Sequence, residues 1–281
     1  MPNETRNISF NANGFVFDAI AAGPDDAPLV LFLHGFPEFA NAWTPILLKT
    51  AAAGYRCVAV DQRGYSKGAR PQNVADYAAK ELVSDVVAFA DALGAKKFHL
   101  VGHDWGGAVA WRVAAAHPDR LLSLTVLSTP HSNALLAAMV SDPDQRERSR
   151  YIEFFRQPGG LAEAGLLADG GLRLRGVYLG KLDASAVDDN VRRFSEPGAL
   201  TPPLNWYRAL DPGDRIGKIE TPTLFIWGSA DQALGAIAAN GTGDCVSGPY
   251  QFVPLEGCTH WLLEEAPEPV ATHLIKHLAN R

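Results

Sequence analysis

Short, nearly continuous apolar runs recur along the chain and predict the strands of a buried sheet. These runs are Leu29 to Leu33, Arg56 to Val60, Phe98 to Val101, Leu122 to Leu127 and Thr223 to Trp227, and a further strand signal lies at Tyr250 to Leu255. Strands that are covered on both faces have this pattern, because neither face needs polar residues. A helix-length amphipathic segment from Tyr77 to Leu93 lies between two of the runs and stops at Gly94. This alternation predicts a parallel sheet with crossover helices.

Two stretches depart from the alternation. The segments Ile8 to Phe10 and Phe15 to Ala19 flank an Asn13-Gly14 turn signal, which predicts a β-hairpin at the start of the chain. Residues 131–216 show no buried-strand pattern and are rich in Arg, Asp and Gly, which predicts several short helices. We therefore expect an α/β fold in which residues 1–130 and 217–281 form the core domain and residues 131–216 form an inserted helical lid.

The composition narrows the class of protein. With 281 residues, of which 47% are hydrophobic and 20% are charged, the chain has the balance of a packed globular protein. Its net charge of −6 disfavours nucleic acid and anionic membrane surfaces as partners. No segment approaches the roughly 20 apolar residues that span a bilayer, and Met1 to Phe10 lack the features of an export signal. Three cysteines without metal-ligand spacing indicate neither a disulfide framework nor a zinc site. We expect a soluble, cytoplasmic protein that is a monomer or a homodimer.

A candidate nucleophile follows the run Phe98 to Val101. The sequence continues as Gly102-His103-Asp104-Trp105-Gly106-Gly107, the layout of a nucleophile elbow with Asp in the place of the usual Ser. The flanking glycines allow a sharp turn, which leaves Asp104 exposed on a strained backbone. We expect its carboxylate to face the first turn of the following helix, where backbone N–H groups point toward it. A carboxylate is already ionised at neutral pH, so Asp104 can attack an sp³ carbon without a base. Taken alone, the motif fits a solvated Asp at a helix start equally well.

Two backbone N–H groups are candidates for an oxyanion hole. The turn His34-Gly35-Phe36-Pro37 follows a buried strand and can direct the N–H of Phe36 toward the site of Asp104. Together with the N–H of Trp105, it would stabilise the tetrahedral intermediate that forms when an ester on Asp104 is hydrolysed. We assign the side chain of His34 a structural role in this loop.

Asp231 and His260 complete a candidate catalytic triad. Asp231 follows the strand Thr223 to Trp227, and His260 follows the last strand. Because the ends of parallel strands share one edge of a sheet, both residues can converge with Asp104 in the order nucleophile, acid, base. His260 would activate water for ester hydrolysis, and Asp231 would orient the imidazole and stabilise its cation. No carboxylate follows the strand Leu122 to Leu127, which leaves Asp231 as the acid.

With these residues in view, the chain resembles the soluble-type epoxide hydrolases of the α/β-hydrolase superfamily over nearly its whole length. The matching core motifs are His34-Gly35-Phe36-Pro37-Glu38, Asp61-Gln62-Arg63-Gly64-Tyr65-Ser66, the elbow around Asp104, and the terminal Asp231 and His260. The resemblance implies the α/β-hydrolase fold, with a mostly parallel central sheet and an inserted helical lid, and a small-molecule epoxide and water as substrates. Residues 232–248 are rich in Gly and Ala and depart from the family's pattern, so the resemblance gives no substrate preference.

Two segments of the lid look like the tyrosine segments of the family. They are Tyr151-Ile152-Glu153-Phe154-Phe155-Arg156-Gln157-Pro158-Gly159 and Leu204-Asn205-Trp206-Tyr207-Arg208. By this resemblance, Tyr151 and Tyr207 hydrogen-bond the epoxide oxygen and bind the substrate together with Phe36 and Trp105. A phenol can donate a proton to the alkoxide that ring opening creates. The alternative is that both tyrosines only pack the lid against the core.

The sequence therefore predicts an epoxide hydrolase that forms a vicinal diol through an alkyl ester on Asp104 and needs no metal or organic cofactor. Two alternatives stay open. Haloalkane and haloacid dehalogenases use the same Asp, His and Asp. A haloalkane dehalogenase would need a side chain that donates a hydrogen bond to the leaving halide where this chain has Phe36. A haloacid dehalogenase would need arginines that bind the substrate carboxylate where this chain has Trp105. A non-catalytic ligand-binding member of the fold would not need an intact Asp104, Asp231 and His260.

Overall fold

An eight-stranded sheet lies at the centre of the computed structural model, which describes residues 4–211 and 213–280. The strands are β1 (Arg6–Ala12), β2 (Phe15–Ala22), β3 (Leu29–Leu33), β4 (Arg56–Val60), β5 (Phe98–His103), β6 (Leu121–Leu127), β7 (Thr223–Gly228) and β8 (Tyr250–Leu255). Their order in the sheet is β1-β2-β4-β3-β5-β6-β7-β8. β2 is antiparallel to β1 and β4, and the other neighbouring pairs are parallel. The carboxyl ends of β3 to β8 therefore meet at one edge.

Helices cover both faces of the sheet. In the described residues they are α1 (Thr44–Ala52), α2 (Ala79–Ala92), α3 (Trp105–Ala116), α4 (Ser132–Ser141), α5 (Pro143–Arg148), α6 (Tyr151–Phe155), α7 (Leu161–Val177), α8 (Ala184–Phe194), α9 (Thr201–Arg208), α10 (Ala236–Gly241), α11 (Leu262–Glu265) and α12 (Pro267–Ala279). One apolar layer includes α2, α3 and lid residues, and the opposite layer includes α1 and α12. Every residue of β3, β5 and β7 is buried as a result. None of the described helices is both long and apolar enough to cross a membrane.

The strands confirm the predictions made from the apolar runs. β3 and β4 have the predicted bounds, whereas β5 and β7 extend beyond the predicted ends, to His103 and Gly228. The predicted hairpin is present as β1 and β2. Its turn residues Asn13 and Gly14 have φ values of 47° and 79°, which an Asn-Gly pair tolerates well.

The predicted helix from Tyr77 to Leu93 is shorter in the structure. It begins at Ala79, because Val74–Tyr77 form a separate 3-10 turn and because Ala78 is extended, with ψ at 148°. The carboxylate of Asp76 accepts a hydrogen bond from the N–H of Asn73 at 3.3 Å, which closes the start of that turn. Local hydrogen bonding, which leaves no trace in the apolar periodicity, therefore sets the start of this element.

The helices α4 to α9 follow β6 and precede β7, and the described part of residues 131–216 includes no strand. Several hydrogen bonds tie this stretch to the core, and two of them come from large buried side chains. Nε1 of Trp206 donates to the carbonyl of Arg63 at 2.9 Å, and the hydroxyl of Tyr178 donates to the carbonyl of Pro37 at 2.6 Å. The helical stretch is thus held over the carboxyl edge of the sheet.

The division into a core of residues 1–130 and 217–281 and a lid of residues 131–216 stays a proposal. The placement of α4 to α9 between two adjacent strands supports it. Residues 1–3, 212 and 281, which fall within these ranges, lie outside the described residues.

Candidate active site

Asp104 lies in a tight turn between β5 and α3, at the edge where the parallel strands end. Its backbone has φ at 51° and ψ at −121°, a conformation that residues with side chains rarely adopt. The turn packs closely against β3, since a Cβ atom on Gly106 would lie 2.1 Å from the carbonyl oxygen of Leu33. Only glycine fits there, which explains the second glycine of the Gly-x-Asp-x-Gly pattern. The predicted strand, sharp turn and helix are all present.

The carboxylate of Asp104 is held by groups from two other loops. Its Oδ1 accepts a hydrogen bond from the N–H of Phe36 at 2.8 Å, and its Oδ2 lies 3.4 Å from Nε2 of His260. The expected hydrogen bonds from the first turn of α3 are absent, so that expectation was wrong. The reason lies at Gly35, where a Cβ atom would lie 2.3 Å from Cβ of Asp104. Because Gly35 has no side chain, its loop lies close to Asp104. The N–H of Phe36 in this loop binds the carboxylate, as the N–H groups of α3 were expected to do.

His260 lies between two carboxylates. Its Nδ1 lies 2.8 Å from Oδ2 of Asp231, and its Nε2 faces Asp104. Burial alone lowers the pKa of His260, but the charges of Asp231 and Asp104 raise the pKa well above its ordinary value. Burial raises the pKa of Asp104, but the hydrogen bond and charge of His260 outweigh it, so the net pKa is lowered. The free site therefore favours an imidazolium at His260 at neutral pH.

Asp231 follows β7, and its carboxylate is fixed on both oxygens. Oδ1 accepts hydrogen bonds from the N–H groups of Ala233 at 2.8 Å and Leu234 at 3.0 Å, while Oδ2 faces His260. The residue is only 2% exposed. A buried carboxylate with these partners holds the imidazole in one orientation.

The main chain of His260 is anchored as well. Its carbonyl oxygen accepts a hydrogen bond from the hydroxyl of Ser128 at 2.9 Å and lies 2.9 Å from Nε2 of His103. Ser128 stands at the end of β6, the position where the sequence offers no carboxylate, and has φ at 65°. The side chains of Ser128 and His103 thus fix the position of the loop that contains His260.

A buried titratable cluster lies behind His260. It consists of His103, whose Nδ1 is 3.4 Å from Oε2 of Glu38, and of Glu264 beside that carboxyl group. Burial raises the pKa of Glu38 to about 7, and burial together with the charge of Glu38 raises the pKa of Glu264 well above its ordinary value. Burial and the charge of His260 lower the pKa of His103. Protons in this cluster therefore reside on the glutamates rather than on His103.

Tyr151 in α6 and Tyr207 in α9 bring two phenol groups over the elbow. Their ring centroids are 6.2 Å apart, and Tyr207 packs edge-on against Trp105 at 4.9 Å and Phe36 at 5.6 Å. Desolvation and the charge of Asp104 raise the pKa of Tyr151. Burial, Tyr151 and Asp104 raise the pKa of Tyr207 well above its ordinary value. Both phenols keep their protons at neutral pH and can donate them.

Two cavities meet at Asp104, Tyr151 and Tyr207, which line both of them. The first arm has a volume of about 240 Å³ and also contains His260. The second arm has a volume of about 270 Å³, and its wall is mostly apolar. A larger groove of about 680 Å³ between α2 and α3 contains none of the triad residues. In residues 4–211 and 213–280, no group of three or more His, Cys, Asp or Glu side chains is arranged to hold a metal ion.

Two loops of the core, around His34 and Asp61, brace each other. Nε2 of Gln62 donates to the carbonyl of His34 at 2.7 Å, and the N–H of Gln62 donates to the His34 ring at 3.3 Å. This agrees with the structural role predicted for the His34 side chain. Asp61 accepts the N–H of Ala40 at 2.7 Å and pairs with Arg193 of α8.

Sequence reasoning selected Asp104, Asp231, His260 and the two phenols, which the structure brings together, but it missed the residues that hold them in place. His103 precedes the nucleophile and ends an apolar strand, and this polar residue at a strand end was a usable signal. Glu38 carries a comparable signal within its motif. Ser128 carries none, because an ordinary surface residue looks the same in sequence. The unusual segment 232–248 does reach the pocket, since Gln232 and Ala233 line the first arm and Leu234 lines the second.

Comparison with known proteins agrees with this geometry. The family model of the alpha/beta hydrolase fold matches residues 28–267. Epoxide hydrolase A of Mycobacterium tuberculosis is 35% identical over an alignment of 312 positions that covers 95% of each chain. The AB hydrolase superfamily protein YfhM of Bacillus subtilis is 35% identical over 280 residues, covering 96% of this chain and 97% of that protein.

Among solved structures, the crystal structure of Epoxide Hydrolase A from Mycobacterium thermoresistibile matches with a TM-score of 0.86. The two chains are 29% identical, and the match covers 98% of each. The chain therefore belongs to the α/β-hydrolase superfamily and, within it, to the family of the epoxide hydrolases.

Proposed function

We propose that this protein converts an epoxide to a vicinal diol in two steps, through a covalent ester on Asp104. The observation that carries the proposal is the meeting of a carboxylate, an imidazole and two phenols where the two cavities join. Relatives named epoxide hydrolases agree with this chemistry. The proposed substrate is a small-molecule epoxide, and water is the second reactant.

In the first step, Oδ2 of Asp104 attacks one carbon of the epoxide ring. The bond between that carbon and the ring oxygen breaks, and the oxygen takes a proton from Tyr151 or Tyr207. The unused phenol donates a hydrogen bond to the same oxygen. Stabilising negative charge that develops only during ring opening lowers the barrier without tightening substrate binding.

In the second step, water attacks the ester carbonyl carbon, which is Cγ of Asp104, and gives one proton to Nε2 of His260. The tetrahedral oxyanion forms on Oδ1, the atom that accepts the N–H of Phe36 in the free site. The N–H of Trp105, which makes no hydrogen bond to that side chain in the free site, is the second donor in this step. Collapse breaks the bond to Oδ2 and releases the diol, which takes its proton from His260. The remaining proton, on the new carboxyl group, returns to the phenolate.

Ester formation also prepares His260 to act as a base. Before the first step, two carboxylates raise the pKa of His260 and favour the imidazolium. The ester removes the charge of Asp104, so the pKa of His260 falls and the ring releases its proton to solvent. Asp231 remains 2.8 Å from Nδ1 and stabilises the imidazolium that forms again when water is deprotonated. His260 takes up a proton from solvent again once the carboxylate of Asp104 is restored.

A single turnover in ¹⁸O-labelled water tests the covalent step. Enzyme in excess over styrene oxide is digested after one turnover, and the peptide that contains Asp104 is analysed by mass spectrometry. We expect ¹⁸O in that peptide and none in the diol, because the diol leaves with an oxygen of Asp104. Label in the diol alone would show direct attack of water and overturn the ester. The Asp104→Ala variant is the control and should form no diol.

The same preparation decides between the proposal and its two alternatives. Release of halide from 1-bromobutane, without diol from styrene oxide, would identify a dehalogenase. Ligand binding together with turnover that is unchanged in Asp104→Ala would identify a binding protein with no role for the triad. Diol formation that depends on Asp104 supports the epoxide hydrolase.

A further inference from the structure

A short lid helix, α5, holds residues 231–235, which we call the acid loop. Gln145 of this helix is fully buried and uses every polar atom of its amide. Its Oε1 accepts the N–H of Gly235 at 2.8 Å. Its Nε2 donates to the carbonyl of Ala233 at 2.9 Å and to the hydroxyl of Ser149 at 3.1 Å. A lid side chain thus binds the main chain of the loop that begins with the triad acid.

Arg148 provides a second anchor from the same helix. Its Nη1 donates to the carbonyl of Asp231 at 2.6 Å, and its Nε pairs with Asp144 at 2.6 Å. The core contributes Nε1 of Trp227, which donates to the carbonyl of Leu234 at 3.0 Å. Three hydrogen bonds to the main chain of the acid loop therefore come from α5. Moving the loop away from the lid would leave buried polar groups without partners, which is costly.

The fit between Gln145 and the loop is close. A Cβ atom on Gly235 would lie 3.2 Å from Oε1 of Gln145, so a side chain at this position would press on the amide. Ser149, which receives a hydrogen bond from Gln145, also accepts the N–H of Ile152 at 3.1 Å in the segment that carries Tyr151. One stretch of lid therefore connects the phenol of the first step to the acid of the second.

We propose that Gln145 is a positioning residue for the hydrolytic step, which keeps the carboxylate of Asp231 in place to orient His260. This inference rests on the proposed two-step function. Gln145 lines neither arm of the cavity, so it acts through the acid loop and not on the substrate. The first step uses Asp104 and the phenols and does not need Asp231 as the partner of a base. Loosening the acid loop should therefore slow the second step alone.

The Gln145→Met variant tests the proposal, because it keeps the length of the side chain and removes its donors and acceptor. The variant and the wild type are mixed with styrene oxide and quenched at short times, and the intact masses give the fraction of enzyme present as the ester. We expect ester formation within about threefold of the wild-type rate. We expect ester hydrolysis to slow by roughly 10- to 100-fold, in line with the cost of a displacement of about 1 Å in an active site. The ester should accumulate.

The pH dependence of ester hydrolysis is a second readout. A displaced Asp231 raises the pKa of His260 less, so the rise of the hydrolysis rate with pH should occur at lower pH in the variant than in the wild type. A purely structural loss of folded protein would lower the amplitude of both steps and leave this midpoint unchanged.

Two further variants complete the design. Arg146→Gln is the matched control, since Arg146 lies beside Gln145 in α5, but its side chain donates to carbonyls of α4, those of Met139 at 3.3 Å and Val140 at 2.9 Å, and not to the acid loop as far as the described residues show. It should leave both steps unchanged. Arg148→Met removes the hydrogen bond to the carbonyl of Asp231. Because Arg148 is more exposed than Gln145, this variant can replace Gln145→Met in the test if the latter folds poorly. It should slow hydrolysis in the same direction.

The outcomes separate this inference from the proposed function. Wild-type enzyme that shows no ester and no label in the Asp104 peptide would overturn the proposed function. An ester that forms and hydrolyses at wild-type rates in Gln145→Met, or equal losses in both steps, would overturn the positioning role while the proposed function stands. Accumulated ester with a shifted hydrolysis midpoint supports it.

Discussion

Replacing Asp104 by Asn tests whether the charge of the nucleophile controls the proton on His260. Asp104→Asn keeps the shape of the side chain and an oxygen for the N–H of Phe36, but it removes the negative charge 3.4 Å from Nε2 of His260. Asp231 stays in place, 2.8 Å from Nδ1. The variant therefore reproduces the charge of the ester without any substrate. The pKa of His260 should fall, because one of the two carboxylates that raise it is gone.

The size of the effect follows from the distance between the charges. Two unit charges about 4 Å apart interact by about 4 kcal/mol at the effective dielectric constant of about 20 that applies to protein sites. About 1.4 kcal/mol changes an equilibrium constant about tenfold. At a fixed pH, the ratio of imidazolium to imidazole should therefore fall by up to about a thousandfold in the variant.

The assay is an NMR titration of the imidazole signals of wild type and Asp104→Asn. The chain contains eight histidines, and the signal missing from His260→Gln identifies the one of interest. A histidine with a raised pKa stabilises the fold below its ordinary pKa and loses that contribution as pH rises through the raised pKa, so the loss should come at lower pH in the variant. A titration midpoint that is equal or higher in Asp104→Asn would refute the reasoning, and with it the idea that ester formation converts His260 into a base.

Three further predictions address single groups of the site. His260→Gln should stop only the second step, so one styrene oxide is consumed per enzyme and the intact mass rises by that of the substrate; an unmodified mass would contradict this. Tyr207→Phe removes one donor to the alkoxide and should lower kcat/KM roughly 10²- to 10³-fold at unchanged circular dichroism, whereas an unchanged kcat/KM would leave Tyr207 a packing residue. Glu38→Gln removes an acid whose pKa burial raises to about 7. The carboxyl group of Glu38 ionises from about pH 4 upward in the unfolded chain but stays neutral up to about pH 7 in the folded protein. Between about pH 5 and pH 8 the wild type should therefore lose on the order of 2 kcal/mol of unfolding free energy relative to the variant. Urea denaturation at both pH values measures this, and parallel changes would count against the raised pKa.

The strands could be predicted from sequence because burial on both faces leaves a continuous apolar run. β3 and β4 show this directly, and their bounds are those of the runs. Their order in the sheet has no such signal. β4 pairs with both β2 and β3, and only tertiary contacts bring the three together.

The convergence of Asp104, Asp231 and His260 could be predicted because each lies in a segment that follows a strand ending at the same sheet edge. The residues that support it could not, because their contacts join distant parts of the chain. His103 meets the carbonyl of His260 across 157 positions, and Gln145 meets Gly235 across 90 positions. Such contacts depend on how the loops and the lid helices pack on the core, and they produce no periodic pattern of hydrophobic residues in the sequence.

The positions of the phenols came from family resemblance and not from pattern. Tyr151 and Tyr207 belong to separate lid helices, and the location of those helices depends on individual contacts such as the hydrogen bond from Trp206 to Arg63. The error about the Asp104 carboxylate has the same origin. A sequence shows that a helix begins there, but not that the loop containing Gly35 comes close enough to replace its amides.

The close packing beneath the elbow limits how this enzyme can be altered in the laboratory. A methyl group on Gly102 would lie 2.3 Å from the carbonyl oxygen of Gly106, and one on Gly106 would collide with β3. Random mutagenesis of this turn would produce mainly misfolded clones. Leu136 and Met139 of α4, by contrast, border empty space in the second arm. A library of variants confined to α4 would change the shape of the second arm, while every variant keeps Asp104 unchanged.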